Sequence, residues 1–111
     1  MGPDGLITGK LGADVALEDG VAAAQLCALS LLAQANAATG GDLSRVTRVV
    51  KLVGFVNSTP EFDQQPVVIN GASDLMVEIL GDAGRHARSA VSAGSLPFGV
   101  AVEIEAIFEV A

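Results

Sequence analysis

The sequence predicts an α+β fold: a two-layer α/β sandwich in which two helices cover one face of a mixed sheet. Three observations carry that prediction. The run RVTRVVKLVGFVN at 45–57 is rich in β-branched residues and reads as a central strand. Two stretches, 18–39 and from about Thr59 or Asp63 to Leu80, hold helix-forming residues with helix-terminating glycines just beyond them. The run VAVEIEAIFEV at 100–110 alternates, with Val102, Ile104, Ala106, Phe108 and Val110 on one face and Glu103, Glu105, Ile107 and Glu109 on the other. At 111 residues the chain is long enough for one core and too short for two, so a single domain over 1–111 is expected.

The elements follow in order. Pro3-Asp4-Gly5 is a turn signal, and Leu6-Ile7-Thr8 before Gly9 is a weak strand. The first helix opens with Glu18 and Asp19, where a helix N-terminus favours negative charge, and Gly40-Gly41 ends it. Gly54 inside the central strand suggests a bulge or bend. In the second helix Val68, Ala72, Leu75 and Ile79 recur on one face, Pro66 belongs in the first turn, and Gly81 closes it. A strand over 86–93 is then expected, with a 94–99 loop before the final strand. The strands at 45 and 86 are joined by a helix, so they run parallel if adjacent. The other sheet face mixes Val and Ile with Glu and Arg, which predicts that further copies of the chain cover it.

Composition removes several functions. The net charge is -7, with six Lys and Arg against thirteen Asp and Glu and no basic run, so nucleic acid and anionic membrane are not expected partners. With no Trp, no Tyr and four Phe, there is little surface on which bases could stack. Cys27 is the single cysteine, in an Ala/Leu helix pattern, and reads as a buried inert thiol rather than a nucleophile. The apolar stretch 21–33 is interrupted by Gln25 and Ser30 and reads as too short for a bilayer span. Met1-Gly2-Pro3-Asp4-Gly5 has no charged-then-apolar leader, so a cytoplasmic location is expected.

The segment GRHARSAV at 84–91 departs from this acidic composition: Arg85, Arg88 and the sole histidine, His86, lie within four positions. If 86–93 and 100–110 form an antiparallel hairpin about Ser95 and Leu96, Arg88 lies opposite Glu103 and His86 opposite Glu105. A structural ion pair is one reading of such a pair. The other is a ligand site: an arginine fork grips a carboxylate through two parallel hydrogen bonds, and a neighbouring glutamate can activate a water. His86, beside two arginines, suits a hydrogen-bonding role. No metal site is expected, since there is no second histidine and the three glutamates alternate along one strand. No glycine-rich phosphate loop follows a strand, and no nucleophile elbow occurs.

Together, ARSAV at 87–91, the ending LPFGVAVEIEAIFEV at 96–110 and the VTRVVKLVGFV strand resemble the YjgF/RidA (Rid) family over essentially all of residues 5–110. That resemblance implies a chorismate-mutase-like fold, a homotrimer with ligand clefts between subunits, and no metal or organic cofactor. It puts Arg88 at the family's carboxylate-gripping arginine and Glu103 at its water-handling glutamate. Asn70 falls near a cleft position once a one-residue gap is allowed. Ala90 stands in the substrate-binding position where many deaminating members carry Cys. The implied activity is hydrolytic deamination of small enamine and imine carboxylates to a 2-keto acid and ammonia. The alternative is a non-catalytic module or regulator that binds small carboxylate metabolites in the same cleft. The family usually has an N-terminal strand pair before the segment matched by Gly2-Pro3-Asp4-Gly5, so an N-terminally shortened domain is expected.

Overall fold

The computed structural model describes residues 7–111. Its main elements are helix α1 (Leu17–Ala38), strand β1 (Val46–Asn57), helix α2 (Gln65–Leu80), strand β2 (Ala87–Ala93) and strand β3 (Val102–Val110). Short 3-10 turns precede β1, β2 and β3. The Pro3-Asp4-Gly5 turn and Leu6 lie outside the described residues. What remains of the expected first strand is a single antiparallel bridge between Thr8 and Val100, flanked by backbone bonds from Ala101 N to Ile7 O and from Gly9 N to Gly99 O.

The sheet order is β2-β1-β3, with β1 parallel to β2 and antiparallel to β3. The central position of β1 follows from its composition. A long strand with Val49, Leu52 and Val56 fully buried gains most when both edges are paired and one face is covered. This order overturns the expected C-terminal hairpin. The connection from β2 to β3 passes over the end of β1, where Asn57 N donates to Ala101 O and Ser58 N to Ala93 O. The Asn57 amide donates to Val100 O, and the Lys10 ammonium donates to both Asn57 Oδ1 and Gly94 O. Strands adjacent in sequence are therefore separated in space by the most buried of the three strands.

Both helices lie on one face of this sheet. α1 packs on β3 and on α2, while α2 covers β1 and β2. Ala23, Ala24 and Ala28 of α1 are buried and, having no bulk, allow close approach. At 22 residues α1 is long and apolar enough, by length and composition, to cross a membrane, contrary to the sequence expectation. Its buried face within this fold consists of Gly20, Ala23, Ala24, Ala28, Leu32 and Ala35. The buried face of α2 consists of Val68, Ile69, Gly71, Ala72 and Met76, rotated from the predicted stripe; Ile79 is exposed. Pro66 occupies the first turn, as expected.

Gly54 does not mark a bulge. The register shifts of β1 fall between Val46 and Arg48 and between Val49 and Lys51. Gly54 instead leaves room for Ile69, whose Cδ1 would stand 2.5 Å from an added Cβ. Gly84 serves a similar purpose before β2: a Cβ there would lie 2.2 Å from Met76 O, so glycine lets the turn press against α2. That contact brings His86 and Arg88 onto the α2 surface.

Candidate functional site

The basic cluster resolves into three separate roles. Arg85 is solvated and pairs with Asp82 at 3.2 Å, three residues away. His86 is held at both ring nitrogens, with Nδ1 2.6 Å from Gly84 O and Nε2 2.9 Å from Ser73 Oγ. Arg88 Nη1 donates to Asn70 Oδ1 at 2.7 Å and to Ser73 Oγ at 3.2 Å. Asn70 and Ser73 are three residues apart on α2 and so share the helix face beside β2.

Hydrogen-bond chemistry fixes the direction of these contacts. Guanidinium groups only donate, so Asn70 must turn its oxygen to Arg88, which leaves its amide N–H groups pointing elsewhere. Among the described residues Arg88 uses only Nη1 and has no carboxylate within ion-pair distance. Its Nε and Nη2 hydrogens, which lie on one edge of the guanidinium, are the pair suited to bidentate carboxylate recognition. Arg88 and Asn70 are both exposed. Ala90, next along the same face of β2, is half-buried against the core and adds no polar group.

Glu103 lies elsewhere. Arg88 is level with Leu52 and Glu103 with Phe55, on opposite sides of β1. Two strand spacings put them roughly 10 Å apart across the sheet, with a further three residues, about 10 Å, along it. They also face opposite ways: Gly54 meets Ile69 of α2, its partners Ala90 and Ile104 share that face, and Glu103 is next to Ile104. The predicted cross-strand pairs Arg88–Glu103 and His86–Glu105 therefore do not form within one chain. Their premise, a β2–β3 hairpin, fails because β1 lies between the two strands.

Glu103 sits instead at the rim of a cavity of about 310 Å³ between α1 and β3, walled by Leu26, Leu31 and Ile104 with Cys27 beside it. Cys27 Sγ donates to Val102 O at 3.7 Å. Burial, and after it the Glu103 charge, pushes the Cys27 thiol up from its ordinary value. Both effects disfavour thiolate, in line with an inert cysteine. Alkylation at pH 8 is accordingly expected to be slower in the folded protein than in the denatured chain, as followed by mass spectrometry with iodoacetamide; equal rates would contradict this environment.

Among the described residues no three His, Cys, Asp or Glu side chains converge as metal ligands. Of the predicted site residues, Asn70, Arg88 and Ala90 come together at the β2 edge, and Glu103 stands alone at the β3 edge. Ser73 is the contact that sequence reading missed. Its signal was the i, i+3 spacing from Asn70, which places it beside whatever Asn70 touches.

Comparison with known proteins accords with this geometry. Residues 3–108 match the family model described as "YjgF/chorismate mutase-like, putative endoribonuclease". "Protein TCP17" of Trypanosoma cruzi is 54% identical over 106 residues, which are 95% of this chain and 66% of that protein. Among solved structures, the protein Atu1372 "with unknown function" from Agrobacterium tumefaciens superposes with a TM-score of 0.93 at 54% identity, covering 95% of this chain and 67% of that one. A "putative endoribonuclease" from Shewanella oneidensis MR-1 gives a TM-score of 0.90 at 35% identity, covering 95% and 69%. The chain thus spans about two thirds of the length of these relatives. Fold, family model and identity agree, and the chain belongs to the YjgF/chorismate mutase-like family.

Proposed function

We propose that the protein is a hydrolytic deaminase of small enamine and imine carboxylates, working in a cleft between copies of the chain in a cytoplasmic homotrimer. The observation that carries this reading is the Nε/Nη2 edge of the exposed Arg88, which has no hydrogen-bond partner among the described residues, beside Asn70. The parallel Nε and Nη2 hydrogens suit one planar carboxylate. An imine, CH3–C(=NH)–COO⁻, gripped there presents its carbon to a water. Glu103 of a neighbouring copy takes a proton as the water oxygen bonds to that carbon. That proton is returned to the imine nitrogen to give the carbinolamine, and the C–N bond then breaks as the hydroxyl proton passes to nitrogen, which releases ammonia and leaves the 2-keto acid. The steps are addition of water to C=N, proton transfers and elimination of ammonia, with no change of oxidation state, so the balance closes with water alone.

The placement of Arg88 and Glu103 at opposite sheet edges supports a shared cleft, since one copy supplies each half only if a second supplies the other. The uncovered sheet face points the same way. Val91 and Ile107 are 44% and 57% exposed there, more apolar surface than a face meant for water usually shows. An RNA-cleaving activity, the one in a relative's name, fits poorly with a net charge of -7. The test couples an amino acid dehydratase, which releases the enamine, to detection of keto acid. Faster release with the wild type and none with Arg88→Ala is the expected result. Binding of the keto acid without acceleration would instead establish the binding module. A monomer in solution would remove the shared cleft.

A further inference from the structure

We propose that Ser73 and His86 are positioning residues that aim the Arg88 guanidinium; this rests on the ligand role of Arg88 proposed above. The chain of contacts has one consistent direction. Gly84 O can only accept, so in the neutral imidazole the ring hydrogen sits on Nδ1, 2.6 Å away. Nε2 must then accept, and the group 2.9 Å from it is the Ser73 hydroxyl, which donates its single hydrogen there. With that hydrogen committed, Ser73 Oγ turns lone pairs outward, and Arg88 Nη1 donates to it at 3.2 Å. Asn70 Oδ1 takes the other Nη1 hydrogen at 2.7 Å.

Both hydrogens of Nη1 are thereby fixed, and a planar group fixed at one corner has its opposite edge fixed too. The relay thus decides which way Nε and Nη2 face. Without it, an exposed arginine keeps its rotamer freedom, and a ligand must bear the entropy of ordering it. The backbone supports the arrangement from below: the closeness of Gly84 to Met76 O leaves no room for a Cβ, so the carbonyl that orients His86 is pressed against α2. Neither Ser73 nor His86 reaches the open donor edge, so both act through Arg88.

Two measurements test this. Nitrogen-15 NMR of the His86 ring reads the tautomer without any ligand: hydrogen on Nδ1 is expected, and a ring carrying it on Nε2 overturns the relay. Titration with pyruvate, as a 2-keto acid probe, is then compared across variants. Ser73→Ala and His86→Ala are expected to weaken binding about tenfold, the loss typical of one hydrogen bond to a charged group. Ser73→Thr keeps the hydroxyl, and His86→Gln keeps an acceptor at the Nε2 position, so both should restore most of the affinity. In turnover the same variants should raise KM with kcat nearly unchanged. If Ser73→Ala and His86→Ala bind pyruvate as the wild type does while Arg88→Ala does not, the relay fails and the Arg88 site stands. If Arg88→Ala also binds normally, the proposed function fails with it.

Discussion

Replacing Arg88 by alanine is expected to lower kcat/KM for an enamine-derived imine by at least about 100-fold, the loss of two charge-assisted hydrogen bonds at roughly 1.5–3 kcal/mol each. The chemistry of the side chain sharpens this. Arg88→Lys keeps the charge but offers a point donor in place of a planar fork, so it should recover little of the activity. Circular dichroism of both variants should match the wild type, because Arg88 is exposed and, among the described residues, its side chain hydrogen-bonds to Asn70 and Ser73 alone. Steady-state kinetics with the coupled assay checks the expectation. Activity in Arg88→Lys within a few-fold of wild type would mean that charge alone suffices and that the free edge is not the recognition element.

Leu52→Ala is expected to have the largest effect on folding. Leu52 is fully buried in the central strand, flanked in register by Arg88 on β2 and Ala106 on β3, under the two helices. Truncation there leaves a cavity in the core, so a cost of about 2–5 kcal/mol follows. That is a large share of the roughly 5–15 kcal/mol stabilising an ordinary domain. Urea denaturation should show a lower midpoint with an unchanged slope at fixed protein concentration. An unchanged midpoint would contradict the assignment of the core to β1.

Much of this fold could be read from residue patterns because its elements carry their own stop signals. Glu18-Asp19 and Gly40-Gly41 bracket α1, Pro66 and Gly81 bracket α2, and the alternation of 102–110 defines β3 to within a residue or two. Strand order was less legible. Nothing local in Gly94–Gly99 distinguishes a tight hairpin from a crossover; what decides is the gain from pairing β1 on both edges, a property of the whole sheet. The same gap explains the misreading of Gly54, whose reason is the Ile69 side chain of a helix above it.

The candidate site divided along the same line. Arg88, Asn70 and Ala90 lie together because β2 runs alongside α2; the family pattern points to all three, and residue chemistry to Arg88 alone. Hairpin arithmetic instead paired Arg88 with Glu103 and missed Ser73, because it considered strands and left out the helix above. The outcome is a chain with Arg88 at one sheet edge, beside α2, and Glu103 at the other, at the rim of the cavity against α1.

Subunit mixing tests that division most directly. Arg88→Ala and Glu103→Gln are each expected to be inactive alone, since every cleft lacks one half. Unfolded together and refolded, random association in a cyclic trimer gives about a quarter of the clefts both intact groups, so roughly a quarter of wild-type activity should return. No recovery, from mixed trimers confirmed by native mass spectrometry, would contradict a cleft shared between copies.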